Sequence, residues 1–244
     1  PYISVAALHH YKIFSDKKKL SELWKTISLA LDFSINLQNP NGTIPWSVDK
    51  NNKIEEDFLI TGSSSILKSI ECAIKISRIL EEGDNNSWIR AYKSLAMAIK
   101  NPKGLFDVTM DRSRFSMDWY YPIISGALSS EEKDFYIKKI LKDFYVDGLG
   151  IKCVREEPWV TVAETSEFII TLVISNRLEE ARKIFSEAMN ITDENDVPYM
   201  GWQYEQNIFW PEEKPSWTSA ALILAADSIY NFSSGSDILT VNHL

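Results

Sequence analysis

Apolar residues recur at helical spacing along almost the whole chain. Leu178, Ala181, Ile184, Phe185, Ala188 and Met189 form one stripe, with Glu179, Glu180, Arg182, Lys183 and Glu187 on the opposite face, the pattern of a surface helix. Trp88, Ala91, Tyr92, Leu95, Ala96 and Ile99 form a second stripe, and Leu20, Leu23, Trp24, Ile27, Leu31 and Ile35 another. Tyr136, Ile140, Leu141 and Phe144 follow a capping box, Ser129-x-x-Glu132. Segments 60–80, 119–128, 160–175 and 217–230 are instead apolar or small nearly all round, and a helix without a broad polar face has to be covered by others. The pattern predicts nine helices, alternating inner and outer: 1–14, 17–38, 59–80, 86–100, 118–128, 130–146, 160–175, 177–191 and 217–230. No segment alternates with period two for long, so little sheet is expected.

Turn signals repeat too. Asn39-Pro40-Asn41-Gly42, Asn101-Pro102-Lys103-Gly104, Val146 to Gly150 and Asp193 to Asp196 each follow an outer helix, at separations of 62, 45 and 47 residues. One helical hairpin plus loop per unit implies an all-α fold of the α/α-toroid type, with 1–231 as a single domain and 232–244 as a C-terminal tail. A closed ring of six hairpins holds about twelve helices, so the expectation is an incomplete barrel whose parent protein carries further helices before Pro1.

Composition narrows the functional classes. The chain has 244 residues, 45% of them hydrophobic, enough for a sizeable core. Its net charge of −8 disfavours nucleic acid and anionic membranes as partners. No apolar run is long enough for a membrane span, and the cytoplasm is the expected location. Cys72 and Cys153 lie far apart without neighbouring histidines, and His9-His10 point different ways on a helix, so neither a disulfide framework nor a metal site is expected. Phosphate-binding and dinucleotide loops and a Gly-x-Ser-x-Gly elbow are missing, and no cofactor is implied.

Four segments bring acids and large aromatics together before or at the start of buried helices: Glu55 to Phe58, Asp118 to Pro122, Glu156 to Trp159, and Trp210 to Trp217. On one rim of a ring they would form a cleft of carboxylates and flat apolar faces, suited to a sugar or a cationic intermediate. Carboxylates at helix starts also serve the helix dipole, so single acids here have a structural explanation. Asp118 sits among apolar residues, where desolvation would raise its pKa and suit it to proton donation. Glu164 and Glu167 share a face of an otherwise apolar helix, and a carboxylate there has to be paired, hydrogen-bonded or facing a wet cavity. The candidate catalytic pair is Asp118 and Glu164; Arg155 is the alternative, purely structural partner for Glu164. Trp46, Trp119, Tyr120, Trp159, Glu167, Trp202, Trp210, Glu212, Glu213 and Trp217 are the candidate substrate-binding residues, whereas Trp24 and Trp88 belong to core stripes.

Ile60 to Ile66, Ser116 to Pro122, Gly148 to Val154 running into Pro158 to Thr165, and Trp210 to Glu213 running to Trp217 to Ala221 together resemble a bacterial family of prenyltransferase-like α/α-toroid proteins. The resemblance implies the superfold shared by six-hairpin glycosidases and terpenoid cyclases, and fold alone is a weak guide to activity. Gln38 to Trp46 is similar to a loosened Gln/Trp repeat of triterpene cyclases, but their Asp-x-Asp-Asp acid motif is missing, as is the zinc set of protein prenyltransferases. Members of the resembled family also carry an additional N-terminal hairpin with acidic and Trp residues. Three readings follow: a carbohydrate-active, six-hairpin glycosidase-like enzyme; a prenyltransferase-like or cyclase-like isoprenoid enzyme, which requires a deep apolar cavity; and a non-catalytic glycan-binding or scaffold toroid. The expected partner is a small-molecule substrate, sugar or isoprenoid, and the oligomeric state is left open.

Overall fold

A computed structural model describes residues 1–51, 53–83 and 85–244. Among the described residues it holds nine α-helices: α1 (Ile3–Phe14), α2 (Lys17–Asn36), α3 (Ile60–Leu80), α4 (Asn86–Lys100), α5 (Met117–Ile124), α6 (Ser130–Asp143), α7 (Val162–Ile174), α8 (Leu178–Ala188) and α9 (Ser216–Tyr230). Five short strands accompany them: β1 (Tyr145–Val146), β2 (Gly150–Ile151), β3 (Trp159–Thr161), β4 (Gly201–Gln203) and β5 (Ile208–Phe209). The mostly helical reading holds, and the differences lie at helix ends. The fifth helix stops at Ile124, just before Gly126, whose positive φ of 81° leaves the helical region. The sixth gives way to β1 after Asp143, and residues 160–161 belong to β3 instead of opening α7. The capping box forms as expected: the Ser129 amide donates to Glu132 at 2.7 Å and the Glu132 amide to Ser129 Oγ at 3.4 Å.

The chain divides into two compact units, residues 1–111, 125–128 and 241–244 in one, and residues 112–124 and 129–240 in the other. In the first, α3 packs against α1, α2 and α4. Leu67, Ile70, Cys72, Ala73, Ile74 and Ile76 are fully buried there, as its nearly all-round apolar sequence requires. Trp24 and Trp88 pack against each other between α2 and α4 with ring centroids 5.7 Å apart and planes tilted by 55°, and the Trp88 indole donates to Asp32 at 2.8 Å. An ion pair is buried in this unit: Lys68 donates to Glu71 at 2.8 Å, their side chains 3% and 0% exposed. The same pair holds the chain's last residues, since Lys68 donates to the Val241 carbonyl at 2.7 Å and the His243 amide to Glu71 at 3.0 Å.

In the second unit α7 packs against α5, α8 and α9. Its Phe168, Ile169 and Leu172 are fully buried. α9 departs from the expectation of all-round cover. It buries Leu222, Ala225 and Ile229 at helical spacing, but Ile223 and Tyr230 are exposed on its other side.

The strands β3, β4 and β5 form an antiparallel sheet in that order. Strand alternation gives it two different faces. Val160, Trp202 and Phe209 turn one way into a cluster with Val162, Ala188, Ile191 and Leu222. Trp159, Gln203 and Ile208 stand opposite one another in register on the other face.

Candidate functional site

The carboxylates that the second unit ties together are Glu164 and Glu167, one turn apart on α7. Tyr120 and Tyr121, adjacent on α5, both donate to Glu167, Tyr120 to Oε2 at 2.6 Å and Tyr121 to Oε1 at 2.7 Å. Tyr120 is fully buried, and burial, followed by the nearby charges of Glu167 and Glu164, holds its hydroxyl protonated well above the ordinary tyrosine range. Glu167 itself is pushed up to about 7, first by burial and also by the charge of Glu164, against the two tyrosine hydroxyls that favour the carboxylate. Such a carboxyl can hold a proton near neutrality and give it up, which an ordinary glutamate cannot do.

Glu164 accepts the hydroxyl of Thr161, the residue that joins β3 to α7. The Cys153 thiol also donates toward it, and burial first, then the Glu164 charge, raises that thiol to about 12, so it is a donor and not a thiolate nucleophile. Arg155, the alternative partner for Glu164, instead lies 3.5 Å from Asp143 and donates to the Ser113 carbonyl at 2.5 Å.

The loop carrying Cys153 is seated by a glycine. At Gly150, φ is +125° and an added Cβ would lie 2.5 Å from Thr165 Oγ1. That close approach lets the Ile151 amide donate to Thr165 at 2.9 Å, fastening the loop to α7. Ser116, just before α5, donates from its amide to the Cys153 carbonyl at 3.0 Å. α5, the Cys153 loop and α7 therefore meet around the two glutamates, with Asp118 half-buried on the first turn of α5, two residues before Tyr120.

An open groove of about 420 Å³ in the same unit is lined by Glu157, Pro158, Trp159, Gln203, Gln206, Ile208 and Trp210, and is joined to the two glutamates through β3, which carries both Trp159 and Thr161. The Trp159 indole donates to the Trp210 carbonyl at 2.5 Å, and the Trp210 amide to the Gly201 carbonyl at 3.0 Å, so the two tryptophans are fixed to each other across the sheet. Gly201 makes room for this. A Cβ there would collide with the Val160 carbonyl oxygen and stand 2.7 Å from the Trp159 indole nitrogen. Gly201→Ala is expected to destabilise the protein by about 1–3 kcal/mol, as overpacking does, and to loosen Trp159; urea unfolding and tryptophan fluorescence check this.

The other expected site residues are distributed differently. Trp119 packs between α5 and α6, its indole donating to the Ser113 carbonyl at 2.9 Å and its ring 5.6 Å from Tyr136, with Lys139 over it. Trp202 was expected to face substrate, but strand alternation turns it toward the core, 5.0 Å from Phe209. Glu212 and Glu213 lie exposed between β5 and α9, and Trp217 is 54% exposed on the first turn of α9, outside the groove lining. Trp46 belongs to the first unit, where it lines a shallow groove with Phe33, Pro45 and Ile66.

Cys153, Gln203, Gln206 and Ile208 escape sequence reasoning, and Tyr121 enters it only as one aromatic of the segment Asp118 to Pro122. The available signal, alternation in Trp202-Gln203-Tyr204 and Ile208-Phe209, is too short to identify a face. Among the described residues no group of three His, Cys, Asp or Glu side chains is placed to hold a metal ion, and no helix is long and apolar enough to cross a membrane.

No family model matches the chain. Over 237 residues it is 36% identical to a protein named MMP endo-(1,4)-3-O-methyl-alpha-D-mannosidase from Mycolicibacterium hassiacum. That match covers 97% of this chain and 65% of the relative. The chain is thus similar along nearly all its length to a glycosidase, and spans 65% of that glycosidase's length.

Proposed function

We propose that the protein is a glycoside hydrolase that cuts α-linked mannose chains, including 3-O-methylated ones, within the chain. The observation that carries this is the pairing of two glutamates on one face of α7, one of them held near pH 7, in the same unit as a groove lined by Trp159 and Trp210, with the Trp159 indole held on the Trp210 carbonyl. Similarity to an endo-mannosidase supports the same reading. An open groove with amide and carboxylate side chains suits a hydroxylated ligand better than an isoprenoid, which needs an enclosed apolar cavity. Alternation of amphipathic and nearly all-apolar helices along the chain supports an α/α-toroid fold.

In this mechanism the bond between the anomeric carbon and the glycosidic oxygen breaks. The oxygen leaves with a proton from a carboxylic acid, and water supplies hydroxide to the anomeric carbon and returns the proton to the carboxyl. Glu167, half-buried and raised to about 7, is the acid. Tyr120 and Tyr121 hold its two oxygens in place. Glu164, kept as an acceptor by Thr161 and Cys153, supplies the second carboxylate, facing the positive charge that develops on the sugar. Asp118 on α5 is the alternative proton donor.

The test is release of reducing ends from an α-(1,4)-linked 3-O-methylmannose tetrasaccharide by the parent protein and by Asp118→Asn, Glu164→Gln and Glu167→Gln. Glu164→Gln and Glu167→Gln are each expected to lose about 10²-fold or more in kcat, the scale of acid–base catalysis. Loss in Asp118→Asn with retention in Glu167→Gln would move the acid role to Asp118. Absence of hydrolysis by the parent would reject the reading.

A further inference from the structure

We propose that the face of the β3–β4–β5 sheet bearing Trp159, Gln203 and Ile208, closed by Trp210 and edged by Gln206, is a subsite for uncharged sugar units flanking the bond that is cut. The inference rests on the glycosidase reading and adds a location and a ligand class to it. Its starting point is register. Trp159 pairs with Gln203 and Gln203 with Ile208 across the three strands, so an indole, an amide and an aliphatic side chain form one row across the sheet. The opposite face is committed to the core through Val160, Trp202 and Phe209, and cannot serve a ligand.

The row is built to present ring faces. The Trp159 indole N–H is already used on the Trp210 carbonyl, which leaves the flat surface of the ring for the C–H side of a pyranose. Gln203 accepts the Gln206 amide N–H on Oε1 at 2.7 Å, so its NH2 end is the one directed at a ligand hydroxyl. Gln206 adds a second amide at the edge, and Glu157 is the only charged group in the lining. Neutral donors and acceptors on flat apolar walls select an uncharged, polyhydroxylated ligand, and methyl ethers on it would meet Ile208 and the indoles without loss.

Position links the groove to the reaction. Trp159 and Thr161 lie two residues apart on β3 and so point to the same face, about 6.6–6.8 Å apart along the strand. Thr161 hydrogen-bonds Glu164. A sugar chain lying on Trp159 therefore continues toward the candidate carboxylates one strand step away, as an enzyme cutting within a chain requires.

The experiment measures binding to the Glu167→Gln protein by calorimetry, with the same tetrasaccharide and with an aryl α-mannoside as a monosaccharide probe. Trp210→Ala and, separately, Gln206→Ala are introduced into that background; Gln206 is exposed between β4 and β5, so its variant folds even where the tryptophan variant does not. The expected result is a roughly tenfold or greater loss of tetrasaccharide affinity, larger than the loss for the monosaccharide, with sugar-induced shifts of the Trp159 and Trp210 indole NMR signals in the parent protein. Unchanged tetrasaccharide affinity in both variants, or no binding of the tetrasaccharide at all, overturns the subsite. Failure of the glycosidase reading would look different: no hydrolysis by the parent protein while these variants still weaken sugar binding.

Discussion

Glu167→Gln should lower kcat by about 10²–10⁴-fold, the range for a lost general acid, and should remove the alkaline limb of the pH–rate profile. In the parent protein that limb falls as Glu167 deprotonates around pH 7, because the ionised form has no proton to give. Gln keeps the shape but offers one oxygen in place of the two that accept the Tyr120 and Tyr121 hydroxyls, so one phenol has to turn and accept from the new NH2 group, and the amide cannot transfer a proton. The same substitution has a signature in stability. In an unfolded chain a glutamate titrates near about 4.3, whereas the folded value is about 7. Between these values the folded state retains a proton that the unfolded chain has released. The stabilisation from this protonated carboxyl is therefore fully present below the unfolded value and is lost as pH rises through about 7. Urea unfolding across this window should show the parent losing on the order of 3 kcal/mol relative to Glu167→Gln. A flat difference would mean that the carboxyl is ionised throughout, and the acid role would fall with it.

Lys68→Met should be the most destabilising single substitution in the first unit. Lys68 and Glu71 are 3% and 0% exposed on their side chains, and Cys72 beside them is pushed up to about 12 chiefly by burial. Removing the ammonium leaves Glu71 as a buried charge and releases the Val241 carbonyl, at a cost of about 3–5 kcal/mol. Replacing both partners, as in Lys68→Met with Glu71→Leu, should recover a large part of that loss, since two apolar side chains leave no uncompensated charge. Hydrogen exchange should then show residues 241–244 less protected in both variants, and most of all in the double one, because the Val241 carbonyl loses Lys68 in each whereas the His243 amide loses Glu71 only when both residues are replaced. Equal stability of Lys68→Met and the parent would show that Glu71 is solvated or neutral.

The acids of the two units differ in how legible they are in the chain. Glu164 and Glu167 stand out because α7 is otherwise apolar, and helical spacing alone places them on one face. The raised pKa of Glu167 comes first from burial, set against the Tyr120 and Tyr121 hydroxyls that lie more than forty residues away in the chain. Asp118 was the better acid candidate by local sequence, since it has apolar neighbours on both sides. Asp118 and Glu167 are alike half-buried, and the groups that fix Glu167, two tyrosine hydroxyls from another helix, are not local to it in sequence. Glu71 drew no attention in the sequence because its partner beyond Lys68 is the amide of His243, 172 residues distant.

The helices of the described residues, the all-round burial of α3, the capping box and the shortage of sheet follow from periodicity, because a helix exposes its pattern within a few turns of chain. The acid pair on α7 is legible for the same reason. Only tertiary structure decided that Trp159 lines a groove while Trp202 packs inward, that Gly201 clears space for an indole, and that Tyr120 and Tyr121 grip Glu167. Strands of two or three residues are too short to announce their faces, and a proton's affinity for a carboxyl is set by whatever the folded chain brings around it.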